Sequence, residues 1–314
     1  MNLKRLVITL YAAIILFAVI GCDKAFAANL NVEKGEKYTT HMLNDQETIV
    51  IFNNQEMITK QQMDMNYSIN ILDVDKNKNV TTSFTYDSIK IAVDTAGKKI
   101  TYNSKQDDNN NPLSAIYSGI LGKSFTIKLN NEGKLLEVKG LDNIITSAID
   151  NTPGTEQQKQ ALKKLLKQSF SDEGIKSMFQ QNIKNYPPGN IKVGDIWERT
   201  SELTVIFPMV ITSKYKLLSE KDGLLNIDMQ TIFSADTQNN AVDIMGVKAN
   251  VALNGEMNGS ITINKKNHFL QNMTIIQNIS GKMEFETDKE TPQTIKLPLR
   301  FTSKIICETT KNKN

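Results

Sequence analysis

Between Val247 and Ile263 the side chains alternate in character with almost no exception. The odd positions are Val247, Ala249, Val251, Leu253, Gly255, Met257, Gly259, Ile261 and Ile263. The even positions are Lys248, Asn250, Ala252, Asn254, Glu256, Asn258, Ser260 and Thr262. Successive side chains of a strand point to opposite faces, so the stretch predicts one β-strand with an apolar-or-glycine face and a polar face. At roughly 3.3 Å per residue it would run about 55 Å, and a strand that long has to bend. Gly255 and Gly259 fall in the apolar phase, where a missing side chain lets a sheet coil tightly. Such a chain should fold as a long, curved, one-sided antiparallel sheet.

The following segment continues the pattern. Odd positions from Phe269 are Phe269, Gln271, Met273, Ile275, Gln277, Ile279, Gly281, Met283 and Phe285, against mostly polar even ones. Apolar faces coincide only if odd pairs with odd, which predicts a three-residue loop at Lys265-Lys266-Asn267 with Asn267 in the left-handed conformation. Gln271 and Gln277 interrupt the inner face. They mark either a wet mouth, the favoured reading because buried amides need partners, or an internal hydrogen bond. A final strand carries Ile295, Leu297, Leu299, Phe301, Ser303, Ile305 and Cys307 on one face, which makes Cys307 a small core residue rather than a nucleophile.

Strand signals also fill the first third. Met63, Met65, Tyr67, Ile69 and Ile71 alternate with polar residues, and Asp73 to Asn79 reads as a turn. The next strand has Val80, Thr82, Phe84 and Tyr86 on even positions but Ile89, Ile91 and Val93 on odd ones. That change of phase predicts a bulge at Asp87-Ser88. Pro112 to Leu121 reads as a short helix, and Phe125 to Val138 as a hairpin. Three amphipathic helices are then expected between 141 and 185. The first carries Leu141, Ile144, Ile145, Ala148 and Ile149, the second opens on a Thr155/Gln158 capping box, and the third is capped by Ser171. Strands resume near Ile191. The expected fold is therefore α+β: a long, curved, mostly antiparallel sheet, a half-open barrel, with a central helical insert (141–185) packed against its concave face. Residues 36–314 would form this single domain.

The N-terminus reads as an export signal. Lys4 and Arg5 precede a run from Leu6 to Ile20 that is apolar apart from Thr9 and Tyr11 and too short for a comfortable span. Val19-Ile20-Gly21-Cys22 has the form of a lipobox, giving a signal peptide over 1–21, lipidation of Cys22 and a tether over 22–35. Ala25-Phe26-Ala27 offers the alternative, cleavage after residue 27 and release of a soluble secreted or periplasmic protein. With Lys4 and Arg5 set aside, 35 basic residues face 34 acidic ones, so no basic field for nucleic acid exists. The partners expected are the membrane, through the N-terminal lipid on its extracytoplasmic face, an apolar ligand and an envelope protein.

Tyr186-Pro187, followed by Val193-Gly194-Asp195-Ile196-Trp197, resembles an element of a family of uncharacterised bacterial exported proteins, often lipid-anchored. In that family an aromatic-Pro pair precedes a V-G-D-x-W element that starts the second half of the sheet. The resemblance implies no activity. Physically, Gly194-Asp195 reads as a turn and Trp197 as a structural anchor. In layout alone the chain is also similar to half-barrel lipoprotein carriers of bacterial envelopes.

Signatures of chemistry are sparse. The histidines are His41 and His268, with no HExxH or Cys/His cluster, so neither a metal nor a cofactor is expected. Gly122-Lys123-Ser124 lacks the first glycine of a phosphate loop, since Tyr117 stands there. Asp73-x-Asp75-x-Asn77 opens like a calcium loop, but Lys78 replaces its glycine, which leaves a solvated turn. Glu284 and Glu286 read as surface charges. The expectation is a non-catalytic exported lipoprotein with Val251, Leu253, Gly255, Met257, Gly259, Ile261, Met273 and Ile275 forming a face for a lipid or other apolar ligand. The glycines would leave volume there and the methionines would adapt to the ligand. A closed-core envelope interaction protein is the alternative, and a hydrolase without a recognisable motif the third.

Overall fold

Thirteen strands hydrogen-bond into one sheet in a computed structural model. It describes residues 30–106, 112–131, 134–151, part of 155–163, 191–204, 207–238, 240–244, 247–286 and 294–313. The first wing is built from β1 (Lys37–Phe52), β2 (Gln55–Val74), β3 (Val80–Thr95), β4 (Lys98–Asn103), β5 (Ser124–Leu129) and β6 (Leu135–Lys139). The second comprises β7 (Ile196–Thr204), β8 (Pro208–Lys221), β9 (Leu224–Asp236), β10 (Val242–Ile244), β11 (Val247–Asn264), β12 (Leu270–Glu286) and β13 (Thr294–Lys311). The order across the sheet is β6-β5-β3-β2-β1-β13-β12-β11-β9-β8-β7, with β4 paired to β3 and β10 to β11. All the pairings are antiparallel.

The first and last strands thus meet at the centre, in register from Tyr38↔Lys311 to Val50↔Leu299. From there each wing runs outward, to β6 on one side and β7 on the other, so among the described residues the sheet does not close. Residues 140–195 lead from one edge to the other.

Local chemistry sets the turns. Asn53-Asn54, Ala96-Gly97 and Asp222-Gly223 each place two consecutive residues at positive φ between directly paired strand ends. This is the type I′ geometry whose twist matches the strands. Asp87 is the extra residue where Asn66↔Ser88 gives way to Tyr67↔Tyr86, the bulge that the phase change predicts. The hairpin between β11 and β12 differs from expectation. Its loop has four residues, Lys265 to His268, and His268 rather than Asn267 takes positive φ. Gln271 is then bulged, and that extra residue restores odd-to-odd pairing from Ile261↔Met273 onward. Face matching prevailed over loop length because a slip of one residue would expose the whole apolar phase.

The α+β expectation is overturned. Strand makes up 70% of the structure and helix 8%, so the chain is a β protein and no central helical insert defines its class. The helices that are described are short: α1 (Pro112–Tyr117) and α2 (Leu141–Asp150). The apolar stripe of α2 buries Ile144, Ile145 and Ile149, and its contacts are with β5 and α1. A Cβ on Gly119 would stand 2.7 Å from Ala148 Cα, so the turn after α1 touches the α2 backbone directly. Of the second expected helix, one turn is seen, with the Lys159 N–H donating to the Thr155 carbonyl. The third lies outside the described residues, as do Cys22 and the expected signal peptide over 1–21. The expected tether enters the described residues only at its end. There Val32 is buried, and the Gly35 N–H donates to the Ile71 carbonyl at 2.8 Å.

Candidate ligand-binding face

One face of the sheet is apolar and buried over both wings. It takes the even positions of β1 and the odd positions of β2, β8, β9, β11, β12 and β13. Of the residues expected to form a ligand face, Val251, Leu253, Ile261, Met273 and Ile275 are buried on it, and Gly255, Met257 and Gly259 are half-buried. Register brings them together: Ile261 lies opposite Met273, Gly259 opposite Ile275 and Met257 opposite Gln277.

The glycines do not leave open volume. A Cβ on Gly259 would stand 2.0 Å from the Thr274 carbonyl oxygen, and one on Gly255 2.6 Å from that of Asn278. On β12, Gly281 would collide likewise with the Ala252 carbonyl at 2.0 Å. Three glycines on two paired strands therefore permit the two backbones to close in on each other. The close approach of the two backbones is what they provide. The free space is not.

A polar row crosses the apolar face at right angles to the strands. Ser213 lies opposite Thr231, Thr231 opposite Met257, Met257 opposite Gln277, and Gln277 opposite Ser303. Ser303 lies opposite Gln46, and Gln46 opposite Gln61. The row divides the face into two apolar clusters. One contains Met42, Met63, Met65, Tyr215, Met229, Ile261, Met273, Ile275 and Ile305. The other holds Val50, Met209, Phe233, Val251, Leu253, Met283, Leu299 and Phe301. Part of the row is internally satisfied. Ser303 donates to Gln277 Oε1 at 2.9 Å, Gln277 Nε2 donates to Met257 Sδ at 3.2 Å, and the Ser213 and Thr231 hydroxyls are 2.8 Å apart. Gln277 accordingly bonds inside, and the wet mouth favoured from the sequence is not its setting.

At the other end of the row the amides are unpaired. Gln46 donates to the Thr48 hydroxyl at 3.4 Å. Its Oε1, both amide atoms of Gln61 and both of Asn44 are buried without a hydrogen-bond partner. Asn44, Gln46 and Gln61 are only 1%, 6% and 1% exposed. Sequence reasoning missed this group because Asn44, Gln46 and Thr48 make the buried phase of β1 polar at its middle, and only register sets Gln61 of β2 beside them.

The family-like element behaves as an anchor. The Gly194 N–H donates to the Leu217 carbonyl, and Asp195 Oδ2 accepts from the Lys192 N–H at 2.8 Å, which closes the turn. Trp197 stacks on Tyr215, its cross-strand partner, with ring centroids 5.4 Å apart. Burial pushes the Tyr215 hydroxyl up to about 12. Val193 is exposed, and Tyr186 and Pro187 lie outside the described residues. Near the N-terminal end Tyr38 stacks on Phe269 at 4.0 Å and donates to Glu36. Burial opposes the Glu36 charge, but hydrogen bonds from Lys311 and Tyr38 hold it below the usual carboxylate range.

The remaining candidates are surface features. His41 pairs with Asp64 at 2.8 Å on the outward face. Asp75 accepts hydrogen bonds from the Asn79 side chain and from the Asn77 and Asn79 backbone N–H groups, which lower its pKa to about 2, as befits a closed turn. Glu284 is flanked by Lys282 and Lys296. A groove of about 660 Å³ is lined by alternating charges such as Asp45, Lys60 and Lys304 of the outward phase, and Gln46, Gln61 and Ser303 of the row also border it. Among the described residues no cluster of His, Cys, Asp and Glu could hold a metal ion. No described helix is long and apolar enough to cross a membrane.

Comparison with known proteins gives a family and distant shapes. The profile of a family of unknown function, DUF6263, matches residues 77–270. No curated protein matches. Among solved structures, lipovitellin, described for its lipid–protein interactions, is similar at 9% identity and a TM-score of 0.43. The alignment covers 90% of this chain and 26% of lipovitellin, so the chain spans about a quarter of that protein. The translocator domain of the autotransporter NalP from Neisseria meningitidis follows at 5% identity and a TM-score of 0.24, covering 98% and 97% of the two chains. OpdL of Pseudomonas aeruginosa gives 6% and 0.20, covering 88% and 99%.

Proposed function

The chain belongs to the DUF6263 family of unknown function, and we propose that it is an exported, membrane-anchored, non-catalytic module that binds a lipid or other apolar ligand. The observation that supports ligand binding is the sheet with a single apolar face running across both wings. Helices α1 and α2 lie against β4 and β5, at one end of that face. That face is buried within the fold, so an apolar ligand would lie among these side chains rather than on an exposed patch. The methionines at 63, 65, 273 and 283, all buried on it, have flexible side chains that adjust to irregular hydrocarbon. The anchor, on the extracytoplasmic face of a membrane, is supported by the sequence: Lys4 and Arg5, the apolar run and the lipobox-like Val19-Ile20-Gly21-Cys22.

Native mass spectrometry of the mature protein from its own membranes, followed by organic extraction, tests both parts. The expected result is a diacylglyceryl mass on the Cys22 peptide together with a non-covalent lipid. An N-terminus at Ala28 would overturn the anchor. A lipid-free protein that takes up no apolar probe would overturn the ligand reading.

A further inference from the structure

We propose that Asn44, Gln46 and Gln61 form the seat for the polar group of an uncharged amphiphile, whose apolar parts lie along the two clusters beside the row. The inference rests on the apolar-ligand reading and narrows it to a chemical class. Its starting point is a local deficit. Most buried polar groups in folded proteins have partners, because an unpaired one forfeits its hydration without return. Here five atoms lack them: Asn44 Oδ1 and Nδ2, Gln46 Oε1, and Gln61 Oε1 and Nε2. They belong to one small patch. Gln46 faces Gln61 directly across the β1–β2 pair, and Asn44 is two residues along the same face of β1. The β8-to-β13 end of the same row makes its own hydrogen bonds; elsewhere among the described residues Tyr215 Oη and Asn250 Oδ1 are also buried without a partner, each a single atom rather than a patch.

The atoms specify the ligand. Two are amide donors and three are carbonyl acceptors, so a group able both to accept and to donate fits them best. Every member of the row, Ser213, Thr231, Met257, Gln277, Ser303, Gln46 and Gln61, is uncharged. A carboxylate or phosphate would therefore be buried without a counter-charge, which disfavours a fatty-acid anion or a phospholipid headgroup. An ester, amide or hydroxyl carries no such penalty. Towards Met42 and Met63 the face becomes apolar directly beyond the patch; in the other direction the buried pair Thr48 and Thr59 comes first and the apolar cluster of Val50 and Phe301 follows. The polar group of the ligand thus sits between hydrocarbon segments, as in a neutral glyceride.

The test uses the mature full-length chain, purified without detergent and incubated with phosphatidylcholine vesicles containing dioleoylglycerol, sodium oleate or squalene. Bound lipid is read by native mass spectrometry. The wild type is expected to retain dioleoylglycerol about tenfold more than squalene or oleate, because a site built to hydrogen-bond rejects ligands lacking the group. In the double variant Gln46→Leu/Gln61→Leu that preference should vanish while squalene uptake stays within about twofold of wild type. If circular dichroism shows that the double variant does not fold, Gln61→Met alone supplies the same comparison. A folded variant that keeps the preference would mean the amides serve only buried water or the fold, and the seat would be abandoned. Equal uptake of squalene and dioleoylglycerol by the wild type would sink the seat but leave the apolar-ligand reading standing. Uptake of none of the three would remove both.

Discussion

Replacing Gly259 by alanine should cost more stability than any other single methyl added to this strand. The Cβ would lie 2.0 Å from the Thr274 carbonyl oxygen and 3.0 Å from Ile275 Cα. Even close C–H···O contacts hold carbon and oxygen about 3.3 Å apart, so β11 and β12 would have to separate by about 1.3 Å at this pair. The obstacle is backbone, which cannot rotate away as a side chain would. Hydrogen bonds of about 2.9 Å on either side of Gly259↔Ile275 do not survive such a gap. Losing two at about 1 kcal/mol each, with about 1–3 kcal/mol of overpacking, gives a total of about 3–5 kcal/mol. That is a large part of the roughly 5–15 kcal/mol by which folded proteins are stable. At about 2–4 °C per kcal/mol for a chain of this size class, the melting temperature should fall by about 10 °C. Thermal and urea unfolding followed by circular dichroism would measure it, with Ser260→Ala on the exposed face as control. A G259A protein melting within about 1 °C of wild type would refute the claim that β11 and β12 close in on these glycines.

Gly281→Ala should be at least as damaging, since its φ of 150° adds backbone strain to a 2.0 Å contact with the Ala252 carbonyl. Trp197→Ala should lower stability by about 3 kcal/mol in urea unfolding, because a buried, stacked ring is lost; a change under about 1 kcal/mol would contradict its role as an anchor. Asp75 predicts an acid-sensitive turn. Its folded pKa lies below the ordinary 3.8, at about 2, so its carboxylate supports the turn fully above pH 3.8 and ceases to as pH falls through about 2. In an NMR titration the Asn77 and Asn79 amide signals should move with the Asp75 carboxyl, near pH 2. Titration of that carboxyl at the ordinary value, with those amides unmoved, would count against the account.

Period-2 alternation is a local signal, and it announced β11, β12 and β13 with the face each would bury. The phase break at Asp87-Ser88 was equally legible, because an extra residue must leave the ladder wherever alternation changes parity. The apolar stripe of α2 and the turn at Gly194-Asp195 were readable for the same reason. Fold class was misjudged because helical spacing counts faces, not quantity: α2 exists, but two short described helices beside thirteen strands make no α+β protein. The glycines were half understood. Their phase showed that the strand could coil, but whether a glycine leaves a hole or a close approach depends on the neighbouring backbone, which belongs to another strand.

The sequence by itself determined the strands and the faces they bury, since each depends on residues close together in the chain. Tertiary structure alone decided the union of the first and last strands at the centre of the sheet and the alignment of the polar row. Gln46, Gln61, Ser213, Thr231, Gln277 and Ser303 lie on six different strands, and in the sequence Ser213, Thr231, Gln277 and Ser303 each read as a single interruption of an apolar phase. Strand order and register place them side by side. Pairing is fixed by burial summed over whole strands rather than by any local pattern, so a chemistry that exists only across strands becomes visible only once the sheet has formed.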